Sequence, residues 1–342
     1  MPASHSNNFT FLRLLLAILV LLSHSFELMD GNRSREILTN IFHTISFGEL
    51  AVDGFFLLSG YLIVQSWQRQ PHLLPFLRNR VLRIYPAFIV ATLISALIVG
   101  PLGANPADYF HNFQLWPFLK GMLLLQTPAV PTVFIGSPYP DVNGSMWTIV
   151  YEFFCYLLVP LAALCGRAKH KYMWVMLFLF MIAVSAWQPL TKLLASGLFI
   201  NVGLRLFLFF FAGGCFFLFR EYIPYRKEGV ILSLIIVFIG LHYRNFVDPI
   251  LLIFGAYIFF SAAFTPAPFL RRLDRWGDIS YGVYLYGWPI QKLLIWYKIS
   301  SSPWWIFILS CLGSAVAGAL SWYFIERQFL RLKSYPLPVP IV

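Results

Sequence analysis

The chain has 342 residues, of which 59% are hydrophobic, 18% aromatic and only 11% charged. A soluble globular protein carries roughly a quarter charged residues because its surface faces water, so this composition excludes that class and indicates a surface that faces lipid. The formal net charge of +11 would suggest nucleic acid in a soluble protein, but in a membrane protein it fits basic loops beside anionic lipid, and no nucleic-acid partner is predicted.

Apolar segments recur along the whole sequence. A bilayer core about 30 Å thick needs about 20 mostly apolar residues per helix. The segments predict an all-α integral membrane protein with about ten transmembrane helices, in a single domain over residues 1–342. The predicted spans are 11–29, 50–68, 83–100, 147–165, 172–188, 204–220, 229–243, 249–264, 279–297 and 304–325.

Basic residues alternate between the connections. Of the 25 Lys and Arg residues, sixteen lie in the even-numbered connections and the C-terminal tail, and seven lie in the odd-numbered connections. Because basic residues concentrate in cytoplasmic loops, we expect the even connections and both termini to be cytoplasmic. A missed or additional helix would disrupt this alternation, so the charge pattern favours ten spans.

The first span contains Arg13 and His24, although an ionisable group within a span is costly unless it is paired or hydrated. Eleven helical steps of about 100° bring both residues to nearly the same face, about 16 Å apart along the axis. This arrangement would suit a single channel with a cation at its entrance and a proton-transfer group deeper inside. The alternatives are that Arg13 only flanks the span and extends its side chain to the membrane interface, and that His24 is a buried histidine that is hydrogen-bonded within the bundle.

Asp53 begins the second span, in the segment Ala51–Gly60. A carboxylate there could orient the His24 ring and stabilise its cationic form, which is the supporting role of an acid in general-base catalysis. The alternative is a helix N-cap ahead of Gly54.

Arg80 and Arg83 lie three residues apart at the start of the third span, on one side of a helix. Two guanidinium groups at the cytoplasmic boundary could bind phosphates. The alternative is that they only contribute to the positive charge of a cytoplasmic loop.

The longest connection, 101–146, is predicted to be external. Its aromatic stretch 110–126 could form an amphipathic helix along the membrane interface, and the proline-rich stretch 127–145 follows it. The connection is either a lid over an acceptor site or merely a connector.

Glu152 lies just inside the fourth span, which enters from the outer side. It could act as a second acid or base near the outer mouth of the channel. An interfacial acid in contact with water is the alternative.

Other catalytic signatures are missing from the sequence. It has no Gly-rich phosphate loop, no Cys or His cluster for a metal and no Gly-x-Ser-x-Gly motif, and Ser59 in Leu-Ser-Gly lacks the matching elbow. We therefore predict no metal site and no permanently bound cofactor.

Several of these motifs, in this order, resemble the acyltransferase-3 family of bacterial membrane acyltransferases, and the resemblance covers nearly the whole chain. The similar segments are Arg13-x10-His24, Val52–Ile63, Arg80–Pro86, Ser145–Glu152, Ile279–Leu285 and Ile325–Arg327. One position departs from the family pattern: many relatives have a histidine where this chain has Gly287, so no role of that histidine is carried over.

The resemblance implies an O-acyltransferase in the bacterial cytoplasmic (inner) membrane. Cytoplasmic acyl-CoA, with acetyl-CoA as the default, would be the donor, and a hydroxyl of a surface glycan or its lipid-linked precursor the acceptor. With the residues above, it implies donor binding by Arg80, Arg83 and Arg13, and catalysis by His24, Asp53 and Glu152. A transporter or flippase for a lipid-linked or acylated substrate is the alternative, and the oligomeric state is open.

Overall fold

A computed structural model describes residues 7–164, 170–186, 198–270 and 277–334, and these residues form helices and no strands. Ten helices cover the ten predicted spans, although the last residues of the predicted spans 147–165 and 172–188 lie outside the described residues. The helices are α1 (Phe9–Asp30), α2 (Phe47–Arg69), α3 (Leu73–Leu102), α4 (Trp147–Leu164), α5 (His170–Ala186), α6 (Leu198–Leu218), α7 (Lys227–Gly240), α8 (Arg244–Phe264), α9 (Ser280–Trp296) and α10 (Pro303–Arg331).

Six of these helices, α1 to α4, α8 and α10, are long and apolar enough to cross a membrane, as judged over the described residues. The protein is therefore an all-helical, multi-pass membrane protein, as predicted. The count of ten spans and the cytoplasmic placement of both termini stay predictions. We use "near face" for the end of the bundle where α1 begins and α10 ends, and "far face" for the opposite end.

Glycine allows α2 and α6 to pack with their backbones in contact. A Cβ atom on Gly60 of α2 would lie 1.9 Å from the carbonyl oxygen of Phe210, and one on Gly213 of α6 would lie 1.9 Å from the carbonyl oxygen of Leu57. In lipid there is no hydrophobic driving force between helices, and small residues at the interface allow the close van der Waals packing that stabilises the pair instead. The two helices therefore form a closely fitted pair that holds the middle of α2 in place.

α1 lies in the interior, against α2, α9 and α10. Gly54 of α2 faces Leu16, and a Cβ atom there would come within 2.7 Å of that side chain. Gly287 of α9 faces Leu21, at 2.5 Å by the same measure. Gly287 thus lets α1 and α9 pack closely without displacing the Leu21 side chain.

The connection 101–146 contains two short helices, Pro106–His111 and Leu115–Leu123. The second falls within the predicted interfacial stretch 110–126, and its Trp116 is 74% exposed. Lys292 of α9 holds the following stretch, because its ammonium group donates hydrogen bonds to Ser137 Oγ at 2.7 Å and to the carbonyl of Tyr139 at 2.6 Å. The external position of the connection and its role as a lid stay predictions.

Candidate active site

A cavity of about 380 Å³ lies between α1, α2, α3, α4, α9 and α10. It extends from Lys333 at the near face to Thr148 and Tyr284 in the middle of the bundle. Its lining includes the following side chains with hydrogen-bonding or charged groups: Arg13, Ser59, Arg80, Arg83, Thr148, Glu152, Tyr156, Asp278, Ser280, Tyr281, Tyr284 and Lys333. The structure therefore brings four of the six predicted site residues into one cavity: Arg13, Arg80, Arg83 and Glu152.

Two of the cavity arginines share one carboxylate. Arg13 Nη1 and Arg83 Nη2 both donate to Oδ2 of Asp278 at 2.7 Å. Arg83 also donates to Glu326 at 3.4 Å, and Glu326 is almost fully buried. Arg83 is thus neutralised by two carboxylates, so little of its charge remains for a ligand. In the described structure Arg83 chiefly links α3 to the start of α9 and to α10.

Arg80 and Lys333 differ from this pair, because neither forms an ion pair within the residues described. Arg80 donates to Ser66 Oγ at 3.2 Å and lies against the rings of Phe76 and Tyr156, while its buried Nε has no hydrogen-bond partner. Burial, together with the charges of Arg80, Arg83 and Arg13, lowers the pKa of Lys333 to about 7. Both cations could form charge-assisted hydrogen bonds with an anionic ligand.

Glu152 lies within this cavity, together with the arginines. Its Oε1 accepts hydrogen bonds from Ser59 Oγ at 2.9 Å and from the hydroxyl of Tyr156. Among the described residues no cation forms an ion pair with it, in contrast to Asp278 and Glu326. A carboxylate that is held only by hydroxyl groups keeps its ability to accept a proton.

His24 lies outside the cavity lining, towards the far face, whereas Arg13 lines the cavity, so the predicted single channel shared by these two residues is wrong. Its Nδ1 lies 3.3 Å from Oε2 of Glu27, and its ring packs edge-on against Trp288 at 4.8 Å. Glu27 is buried and accepts two hydrogen bonds of 2.7 Å from Arg33. The imidazole therefore faces protein, and an arginine fixes the carboxylate that orients it, as in a base and its orienting acid.

Asp53 does not contact His24, so the predicted pairing of these two residues is wrong. The buried Asp53 accepts a hydrogen bond of 2.7 Å from Arg205 of α6. Arg205 also meets Glu49 at 3.5 Å and Asp248 at 3.4 Å. Because α2 and α6 pack so closely, Asp53 faces α6, and its role in the described structure is to tie the two helices together.

The two centres are separated by a short stretch of the bundle. Thr148 lies one turn from Glu152 on α4 and hydrogen-bonds the Tyr284 hydroxyl at 2.7 Å. Trp288 lies one turn from Tyr284 on α9 and contacts His24. Tyr284 therefore lines the cavity, whereas Trp288, one turn further along α9, packs against His24.

The prediction from sequence missed Glu27, Arg33, Asp278 and Lys333. Glu27 had a usable signal, because it follows His24 by three positions on one helix face. Asp278 and Lys333 had none, since both lie far along the chain from the arginines of the cavity. Within the described residues no group of three or more His, Cys, Asp or Glu side chains could hold a metal ion.

The matching family model and two of three similar proteins are named for acyl or acetyl transfer. The model of a family described as "Acyltransferase domain" matches residues 6–323. An O-acetyl transferase of Shigella phage Sf6 is 25% identical over 96% of this chain and 97% of its own length. Nodulation protein 10 of Rhizobium leguminosarum bv. viciae is 27% identical over 97% and 95%, and acyltransferase MdmB of Streptomyces mycarofaciens is 32% identical over 37% and 31%. No solved structure matches the chain.

Proposed function

The chain belongs to the acyltransferase-3 family and is an acyltransferase, and from that premise we propose that it transfers an acetyl group from cytoplasmic acetyl-CoA to a hydroxyl of a surface carbohydrate or its lipid-linked precursor. One observation carries the proposal: within the part of the chain that the structure describes, one cavity combines two cations without an ion pair, Arg80 and Lys333, with a carboxylate, Glu152, that is bound by hydroxyl groups and by no cation. The name of the phage relative supports acetyl as the group.

The donor would enter from the near face, which is then the cytoplasmic face of a bacterial inner membrane. Arg80 and Lys333 have free donor capacity there and would hold its phosphates, with Arg13 beside them. Charge-assisted hydrogen bonds to phosphate are the strong ones in proteins. The thioester end of the donor would then reach the apolar middle of the cavity, near Glu152 and Ser59.

The acceptor would approach from the far face. With Nδ1 of His24 directed at the Glu27 carboxylate, Nε2 is the atom left to accept the proton of a sugar hydroxyl. Overall, the acceptor oxygen forms a bond to the acyl carbon, the bond from that carbon to the donor sulfur breaks, and the proton leaves with the thiol. Glu152 is the acid–base group on the donor side, where the leaving thiolate gains its proton.

The test uses purified protein in liposomes with labelled acetyl-CoA and the glycan fraction of the source cells. We expect label in base-labile O-acetyl groups on the glycan and an equal release of free CoA. A His24→Ala variant that inserts normally should lose the transfer, whereas Asn32→Ala, in the exposed turn after α1, should keep it. Movement of intact substrate without thioester consumption would contradict the proposal and favour a transporter.

A further inference from the structure

Ser59 lies in the donor cavity with its hydroxyl directed at a carboxylate. Its Oγ donates to Oε1 of Glu152 at 2.9 Å, across the contact of α2 with α4. The sequence around Ser59 lacks a nucleophile elbow, so only the fold reveals this pair. The packing of the neighbouring Gly60 on Phe210 fixes the helix that carries it.

The other hydroxyl groups of the cavity are engaged differently. Ser280 donates to Asp278, a carboxylate already held by two arginines. The hydroxyl groups of Thr148 and Tyr284 are hydrogen-bonded to each other, and the Tyr284 hydroxyl also donates to the carbonyl oxygen of Ser145. Of the aliphatic hydroxyls that line the cavity in the described structure, Ser59 is thus the one paired with a carboxylate that carries no arginine.

The position of His24 makes such a group useful. His24 does not line the cavity; it packs against Trp288, one turn along α9 from Tyr284 of the cavity lining. A thioester that enters from the near face would meet Ser59 before it could meet an acceptor activated at His24. An acyl group carried on the protein would allow the bulky donor to leave before the acceptor reacts.

We propose that Ser59 is an acyl carrier, activated by Glu152, and that the enzyme works through an acyl-serine intermediate. This rests on the proposed function and adds a catalytic residue to it. Glu152 takes the hydroxyl proton of Ser59, Oγ forms a bond to the acyl carbon, and the bond from that carbon to sulfur breaks. The thiolate leaves as free thiol with the proton from Glu152. In the second transfer the acceptor oxygen replaces Oγ, which recovers its proton.

The experiment measures exchange of labelled free CoA into unlabelled acetyl-CoA, with the protein in liposomes and no acceptor present. Such exchange needs an acyl-enzyme but no accumulation of it. We expect exchange with the unchanged protein, a loss of at least about 100-fold in Ser59→Ala and Glu152→Gln, and partial recovery in Ser59→Cys, since a thiol is also a nucleophile. Ser314→Ala, a buried serine bonded only within α10, is the matched control.

Three results would overturn the proposal: no exchange by the unchanged protein, full exchange by Ser59→Ala, or equal loss in the Ala and Cys variants. The last would indicate a packing role. Glycan acetylation is measured on the same samples. If it persists while exchange is missing, the acyl-serine fails and the proposed function stands. If the unchanged protein acetylates no glycan, the proposed function itself fails.

Discussion

Nδ1 of His24 lies 3.3 Å from Oε2 of Glu27, one helical turn further along α1, and Arg33 holds the same carboxylate with two hydrogen bonds. The partner of the histidine is therefore local, on its own helix. This relationship sets the tautomer of the ring and the direction of its free nitrogen. In the proposed mechanism the first span carries both a cation on the donor side, Arg13, and the base on the acceptor side, His24.

We expect Glu27→Gln to lower kcat for glycan acetylation by roughly 10²- to 10⁴-fold, because a neutral amide no longer stabilises the cationic ring or fixes its tautomer. The KM for acetyl-CoA should change little, since the donor cavity is untouched. Steady-state kinetics with each substrate varied separates the two constants. Asp30→Asn, an exposed acid on the same helix, is the control. Unchanged kcat in Glu27→Gln would remove Glu27 from the site.

Asp53→Ala is expected to destabilise the protein by about 1.5 to 3 kcal/mol, because Arg205 loses its nearest partner and keeps only the longer contacts to Glu49 and Asp248. The midpoint of thermal unfolding in detergent measures this. Asp53→Ala combined with Arg205→Leu should recover part of the loss, since the less well compensated charge is then removed as well. Full stability with abolished catalysis in Asp53→Ala would instead make Asp53 a catalytic residue.

Arg80 and Arg83 should differ when each is replaced by alanine. Arg80→Ala is expected to raise the KM for acetyl-CoA by roughly 10-fold or more, the loss of one charge-assisted phosphate contact. Arg83→Ala leaves the buried Glu326 without a cation and Asp278 with Arg13 alone, and should chiefly lower the unfolding temperature. Donor kinetics and thermal unfolding are measured on both variants. The reverse pattern would place the donor phosphates on Arg83.

Lys333 predicts a pH dependence of donor binding. Because its pKa is lowered to about 7, it is charged below that pH and loses its charge as pH rises above it. The groups that face it, Arg80, Arg83 and Arg13, stay charged throughout, and Asp278 stays paired with them. We expect the KM for acetyl-CoA to rise from about pH 7 upward.

Lys333→Arg is the control for that profile, because its side chain keeps its charge while the donor's own titration is unchanged. The KM of Lys333→Arg for acetyl-CoA should not show the rise above about pH 7 that is expected for the unchanged protein. Parallel profiles for the two proteins would show that Lys333 does not bind the donor.

Gly60→Ala is expected to prevent stable insertion or folding, because the new Cβ atom would lie 1.9 Å from the Phe210 carbonyl oxygen. Neither backbone can move away without separating α2 from α6. Gly313→Ala, at a glycine of another span, is the matched control. Its Cβ atom would lie 3.4 Å from Ile290, which is an ordinary van der Waals contact. The yield of monodisperse protein after extraction compares the two. Equal yields would mean that α2 and α6 are less closely packed than described.

Parts of the candidate site were predictable because their signals are local. Arg13 and His24 are eleven positions apart on one helix, and Arg80 and Arg83 are three apart, so helical geometry alone gives their faces. Glu152 stood out because a carboxylate in an apolar span is costly. The pairing of Asp53 was not predictable, since Arg205 lies on a helix some 150 positions later in the chain.

Sequence alone determined the class of the protein and the order of its helices, because the bilayer imposes a length and an apolar composition on every span. It also determined which residues are too polar to face lipid. Which of these residues meet was decided only by tertiary structure. Helix contacts such as Gly60 on Phe210 and Gly287 on Leu21 set how each helix is rotated against its neighbours. That rotation directs Asp53 to Arg205 and Ser59 to Glu152, and periodicity within a single helix holds no information about it.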